Sequence, residues 1–116
     1  MRHLKEGKKF HRKRGQRRAL MKGLASNLII REKIELSEAK SKELRSLVEK
    51  LITRGKKQNL ASLRYLLSYL PKKSAEKVYY QISPRYKSRQ GGYTRIIKMT
   101  TVSKKDSAQK AIIEFV

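Results

Sequence analysis

Between Leu44 and Ile52 the apolar side chains Leu44, Leu47, Val48, Leu51 and Ile52 fall at i, i+3, i+4, i+7 and i+8. That spacing places all five on one face of an α-helix, an apolar stripe about 100° wide that the rest of the chain must cover. Ser37 upstream is a good N-cap, because its hydroxyl can accept from a backbone N–H that the first turn leaves unpaired. Gly55 stands where a C-terminal cap is expected. A helix is therefore predicted from Ser37 to Gly55, and the other elements must supply the opposite wall of a core.

Candidates for that wall lie on both sides. Leu20, Leu24 and Leu28 recur every fourth residue from Ala19 onward, with Met21 and Ala25 beside them, and predict a first helix weakened slightly by Gly23. KIEL (Lys33 to Leu36) alternates like a short strand. Asn59 can cap a third helix carrying Leu60, Leu63, Leu67 and Leu70, which Pro71 stops. Ser74 opens a fourth through Val78 and Ile82, ended by Ser83-Pro84. After a loop from Arg85 to Gly92, Tyr93 to Thr101 reads as a strand, Ser103 to Ser107 as a turn and AIIEFV as a returning strand. The expected order is helix, short strand, three helices and a C-terminal β-hairpin, an α+β fold in two layers.

Residues 1 to 18, MRHLKEGKKFHRKRGQRR, cannot join that core. They hold nine Lys or Arg and only Met1, Leu4 and Phe10 as sizeable apolar groups. Ordering them costs roughly 1–2 kcal/mol per residue, on the order of 20 kcal/mol in all. Charge-assisted hydrogen bonds return ~1.5–3 kcal/mol each, so nine contacts roughly break even. The division expected is a basic arm over 1–18, ordering where the body has docked, and one compact domain over 19–116.

The whole chain of 116 residues carries 31 Lys plus Arg against nine Asp plus Glu, a net charge of +22. A merely soluble surface mixes signs more evenly. A polyanion partner is implied, and its affinity should fall steeply with salt. No apolar run is long enough to cross a bilayer, and the arm lacks an apolar face to insert into one, so no membrane partner is expected. Lys22 interrupts the short apolar stretch that a secretory signal would need, and the start reads as mature protein. Cysteine is absent, which removes disulfides, thiolate nucleophiles and Cys-held metals. Five of the acids, Glu32, Glu35, Glu38, Glu43 and Glu49, cluster on and before the second helix, a patch expected to face away from a polyanion.

Catalysis finds no support. His3 and His11, the only histidines, lie in the cationic arm, where neighbouring charge depresses their basicity and where two ligands fall short of a zinc site. Neither a phosphate loop ending in Lys-Ser/Thr nor a Gly-x-Ser-x-Gly elbow occurs. No enzyme, no cofactor and no small-molecule substrate is expected.

The residues that carry a binding function are cationic. In the arm and first helix they are Arg2, His3, Lys8, Lys9, Arg12, Lys13, Arg14, Arg17, Arg18 and Lys22, with Arg14, Arg18 and Lys22 on one helical face. The second set surrounds RQGGYTR: Arg85, Lys87, Arg89 and Arg95. Gly91 and Gly92 supply positive φ at its centre and remove the Cβ atoms that would hold a phosphate chain away; a plain loop-to-strand turn is the alternative. Tyr86 and Tyr93 interleave with these cations and are candidates to stack on unpaired bases, whereas Tyr65, Tyr69 and Tyr79 sit on amphipathic helices and can pack with leucines.

PRYKSRQGGYTRIIK (Pro84 to Lys98), the opening MRH with RRALMKGLASNLI (Arg17 to Ile29), EAKSKELRSLVEKLIT (Glu38 to Thr53) and the closing AIIEFV together resemble the family of bacterial large-subunit ribosomal protein number seventeen, collinearly over nearly the whole chain. The resemblance implies helices packed on a small sheet, binding to large-subunit ribosomal RNA near the mouth of the peptide exit tunnel, contact with neighbouring ribosomal proteins, a cytoplasmic ribosome of bacterial type and no catalysis. Carried over by position, it implies RNA-facing roles for Arg2, His3, Arg12, Arg14, Arg17 and Arg18, and for Arg85, Arg89, Gly91, Gly92, Tyr93 and Arg95. The chain departs from the family pattern at Gln16, where histidine is common, at Leu36-Ser37, where two threonines are frequent, and at Gln109, where proline is usual.

A rival reading is a DNA-binding regulator of the helix-turn-helix kind, since a short Gly-containing turn, Arg54 to Asn59, joins two helices. Its would-be reading helix, Asn59 to Leu70, offers mainly Arg64 to a groove and is otherwise leucine-rich, which suits a core-facing helix better.

Overall fold

A computed structural model of the chain describes residues 14–102 and 109–116. Its elements are α1 (Arg14–Arg31), β1 (Lys33–Ser37), α2 (Glu38–Gly55), α3 (Leu60–Tyr69), α4 (Lys72–Lys77), a π-helical turn (Val78–Ile82), α5 (Ser83–Arg85), β2 (Thr94–Val102) and β3 (Gln109–Phe115). This is the α+β order expected from the sequence, with α4, the π turn and α5 forming one continuous rod. The turn expected over 103–107 lies outside the described residues, as does most of the expected arm. The described part of that arm, 14–18, belongs to α1, so the boundary expected after residue 18 falls inside a helix.

The three strands form an antiparallel sheet in the order β1-β3-β2. The C-terminal strand is central and buries one face: Ala111, Ile113 and Phe115 are buried, with less buried side chains between them. Ile113 is flanked by Ile34 of β1 and Ile96 of β2. Pairing then skips from Lys98↔Ala111 to Val102↔Gln109, so β2 bulges by two extra residues.

Across the inner face lies α2. Leu44, Val48, Leu51 and Ile52 are fully buried and Leu47 packs at their margin, as the five-residue stripe requires. Ser37 caps its start by accepting from the Lys40 N–H at 3.3 Å. On α1 the core residues are Ala25, Leu28 and Ile29, with Met21 and Leu24 half-buried, so the helix docks by its second half. The Ser26 and Ser74 hydroxyls hydrogen-bond between α1 and α4.

Three local expectations are corrected. Gly55 does not end α2 in a left-handed cap; the chain stays right-handed through Lys56, and positive φ comes at Gln58. Gly55 is buried instead, and a Cβ there would fall on the Ser83 hydroxyl and lie 3.3 Å from Val78 Cγ1. It is glycine because α2 and the rod touch backbone to side chain. Nor do Ser83-Pro84 stop the fourth helix. Proline has no N–H to return to the carbonyl four residues back, and its ring clashes with that turn; the helix widens just before it, and the Ser83 N–H reaches back to the Val78 carbonyl. On α3, finally, the buried positions are Ser62 and Leu66, continued by Leu70, while Leu60 and Leu67 are exposed. Asn59 and Ser62 form a reciprocal capping box at 2.8 and 3.2 Å, which takes Ser62 inward and rotates the expected leucine stripe outward.

Candidate nucleic-acid interface

The described cations of the first set line the start of α1. Arg14 and Arg18 are exposed, Arg17 is partly covered, and the Lys22 ammonium lies 5.1 Å above the Tyr69 ring. Ala25, Leu28 and Ile29 in the second half of α1 fix that helix, so its first turns present Arg14 and Arg18 outward. Arg2, His3, Lys8, Lys9, Arg12 and Lys13 lie outside the described residues.

The second set sits on the loop between α5 and β2, and two tyrosines build that loop. Tyr86 is 5% exposed and Tyr93 2%, their rings packed 5.2 Å apart. The Tyr86 hydroxyl donates to the Val116 carbonyl at 2.7 Å, and the Val116 N–H donates to the Tyr93 carbonyl at 2.9 Å. Both rings are plugs that fasten the loop to the end of β3. This corrects the expectation that they stack on bases, because a ring buried in the core has no free π-face.

Between the plugs, Lys87, Ser88, Arg89 and Gln90 are exposed. Gly91 and Gly92 have φ of 87° and 62°, the left-handed conformations expected of the pair, and a Cβ on Gly91 would meet open space. Arg89 closes the turn by donating from Nε to the Gly92 carbonyl at 3.1 Å. Lys56, from the end of α2, staples the loop from beneath: its ammonium donates to the Arg89 carbonyl and, at 2.9 Å, to the Tyr93 hydroxyl. Burial would raise the Tyr93 phenol, but the Lys56 ammonium and further hydrogen bonds outweigh it and hold the group below its ordinary value.

The arginines flanking this loop have partners of their own. Arg85 donates to Glu32 at 2.6 Å, and Arg95, on the outer face of the sheet, donates to Glu114 at 2.9 Å across the β2–β3 pair. Lys98 reaches Glu38 and Lys110 reaches Glu35. The acids therefore do not form the separate patch expected. Glu32, Glu35 and Glu38 each hold a cation, and Glu49 takes Arg45 at 3.5 Å and the Thr94 hydroxyl at 3.0 Å.

The sequence placed Glu32 in an acidic cluster but gave no sign of its bridging role. It ends α1 in the left-handed conformation, φ 65°, and its carboxylate bridges Arg85 and Lys77, the latter at 3.1 Å. The Arg85 hydrogen bond, only partly opposed by burial, holds its carboxyl below the usual range. A group depressed on folding stabilises above its unfolded pKa and loses that contribution as pH falls through the folded value. Glu32→Gln should therefore cost about 1 kcal/mol at pH 7, the pairs being only partly shielded from solvent, with the difference from wild type vanishing in acid. Urea titrations at neutral and acidic pH would check this; a constant difference would mean the charge is not involved.

The structure also gathers cations that sequence reading passed over. Lys50, Arg54 and Lys57, around the α2–α3 turn, make no ion pair among the described residues, and Arg54 lies 4.2 Å over the exposed Tyr65 ring. The available signal is the string Arg54-Gly55-Lys56-Lys57, whose glycine points to a turn between helices and draws attention away from its three cations.

The family profile described as Ribosomal protein L17 matches residues 20–116. "Large ribosomal subunit protein bL17" of Hydrogenobaculum sp. is 53% identical over 117 residues, covering 100% of this chain and 99% of that protein. Its namesake from Thermodesulfovibrio yellowstonii is 48% identical, covering 100% and 87%. That from Fusobacterium nucleatum is 44% identical, covering 100% of both. Matched across its compact body by the profile and along its whole length by these relatives, the chain belongs to the ribosomal protein L17 family.

Proposed function

We propose that this chain binds large-subunit ribosomal RNA through the cations of its N-terminal arm and of the loop from Arg85 to Arg95, near the mouth of the peptide exit tunnel and against neighbouring ribosomal proteins. The family is one of structural proteins of the large ribosomal subunit and not of enzymes. The full-length match to relatives named as large-subunit proteins carries the reading, and the tunnel location rests on the family resemblance alone. The exposed placement of Arg14, Arg18, Lys87 and Arg89 supports a phosphate-binding role, since each offers donors outward from a fixed backbone. In the loop, the exposed Lys87 is the freest donor; Arg85 and Arg95 would act while shared with their carboxylates. By this reading the ribosome concerned is a cytoplasmic one of bacterial type.

Sedimentation tests it. Tagged protein in a cell lysate should co-sediment with large ribosomal subunits and remain there through moderate salt. Recovery with nucleoid DNA instead would end the reading in favour of a DNA regulator.

A further inference from the structure

A cleft of about 530 Å3 opens beside the Gly91 turn, between the last turns of α2 and the middle of α3, within the roughly 300–1,000 Å3 typical of small-ligand sites. From the loop predicted by the sequence only Gly91 and Tyr93 border it. Its charge comes from Lys50, Arg54 and Lys57, spaced along α2 and the turn that follows. The acid at its edge, Glu49, is already engaged by Arg45 and Thr94. Tyr65, 39% exposed, forms part of the wall with the Arg54 guanidinium against its ring. The site thus joins unpaired cations, a preformed arginine–aromatic stack and a turn without Cβ obstruction.

We infer that this cleft holds a single unpaired nucleotide of the bound RNA. Its base stacks on the Arg54–Tyr65 pair, and its flanking phosphates lie along Lys50 and Lys57. Guanidinium planes and tyrosine rings are the surfaces on which proteins stack splayed-out bases. Because Arg54 is already held against Tyr65, less side-chain freedom is lost when a base arrives. A duplex cannot use the site, since its bases are stacked on one another. The inference rests on the RNA-binding reading above and adds to it a contact on α2 and α3, elements outside both predicted cation sets.

Filter binding of the full chain to protein-free large-subunit ribosomal RNA, together with ultraviolet cross-linking of the complex, tests it. Tyr65→Ala should weaken binding roughly 10-fold, with Tyr65→Phe close to wild type, as stacking rather than the hydroxyl requires. Arg54→Gln with Lys57→Gln should weaken it more than Lys72→Gln with Lys73→Gln, which removes equal charge from the exposed start of α4. Cross-linked RNA should map to Tyr65. Wild-type affinity in Tyr65→Ala, or equal losses in the two double variants, would overturn the cleft while leaving RNA binding intact. Failure of the wild-type chain to bind would end both readings.

Discussion

Gly55→Val should lower the free energy of unfolding by about 3 kcal/mol, whereas Gly23→Ala should raise it by about 0.5–1 kcal/mol. Both glycines have helical backbone, Gly23 within α1 and Gly55 at the last residue of α2, where glycine alone costs stability, so propensity does not set the two apart in kind. Packing does. Gly23 is exposed, with no atom within 4 Å of a would-be Cβ, and alanine there gains helix propensity without touching anything. At Gly55 a Cβ meets the Ser83 hydroxyl, and that hydroxyl donates to the Ile52 carbonyl at 3.2 Å in a buried site. Making room means losing that bond or separating α2 from the rod, and valine adds two methyl groups beside Val78. Urea denaturation read by circular dichroism would check both; a Gly55 variant as stable as wild type would show that α2 does not rest on Ser83.

Affinity for ribosomal RNA should fall by roughly 10⁴ between 50 and 200 mM monovalent salt, a log–log slope near −6 to −7 for about eight phosphate contacts. The chain's 31 Lys and Arg overstate what is available, because its carboxylates hold several of those cations in place. Lys87→Gln should reduce the slope by about 1, the change that goes with one fewer neutralised phosphate. Arg95→Gln should change it less, since Glu114 already balances that guanidinium. Filter binding over a range of potassium chloride would check these slopes. A wild-type slope flatter than about −3 would leave too few phosphate contacts for the arm and loop together.

Helix α2 and the hairpin strands are legible in the sequence because their signals are local: a 3.6-residue stripe, a serine cap and short runs rich in β-branched and aromatic residues near the end of the chain. Capping by Ser37 and Asn59, the Pro71 stop and the positive φ of the glycine pair are legible for the same reason. Where local signals compete, the sequence misleads. Pro84 predicts a stop, yet the tertiary contacts of Val78, Ile82 and Tyr86 hold the rod together around it. The leucines of α3 predict its buried face, yet the capping box turns Ser62 inward.

The candidate site divides along the same line. Its positive charge, the absence of catalytic groups and the position of the loop follow from residue types and their order, which no folding can alter. Which cations remain free, and which aromatic rings are plugs rather than platforms, only the tertiary structure decided. Glu32 meets Arg85 across 53 positions and Lys56 meets Tyr93 across 37. Contacts at that separation depend on how the helices pack on the sheet, so no pattern within a short stretch of chain encodes them.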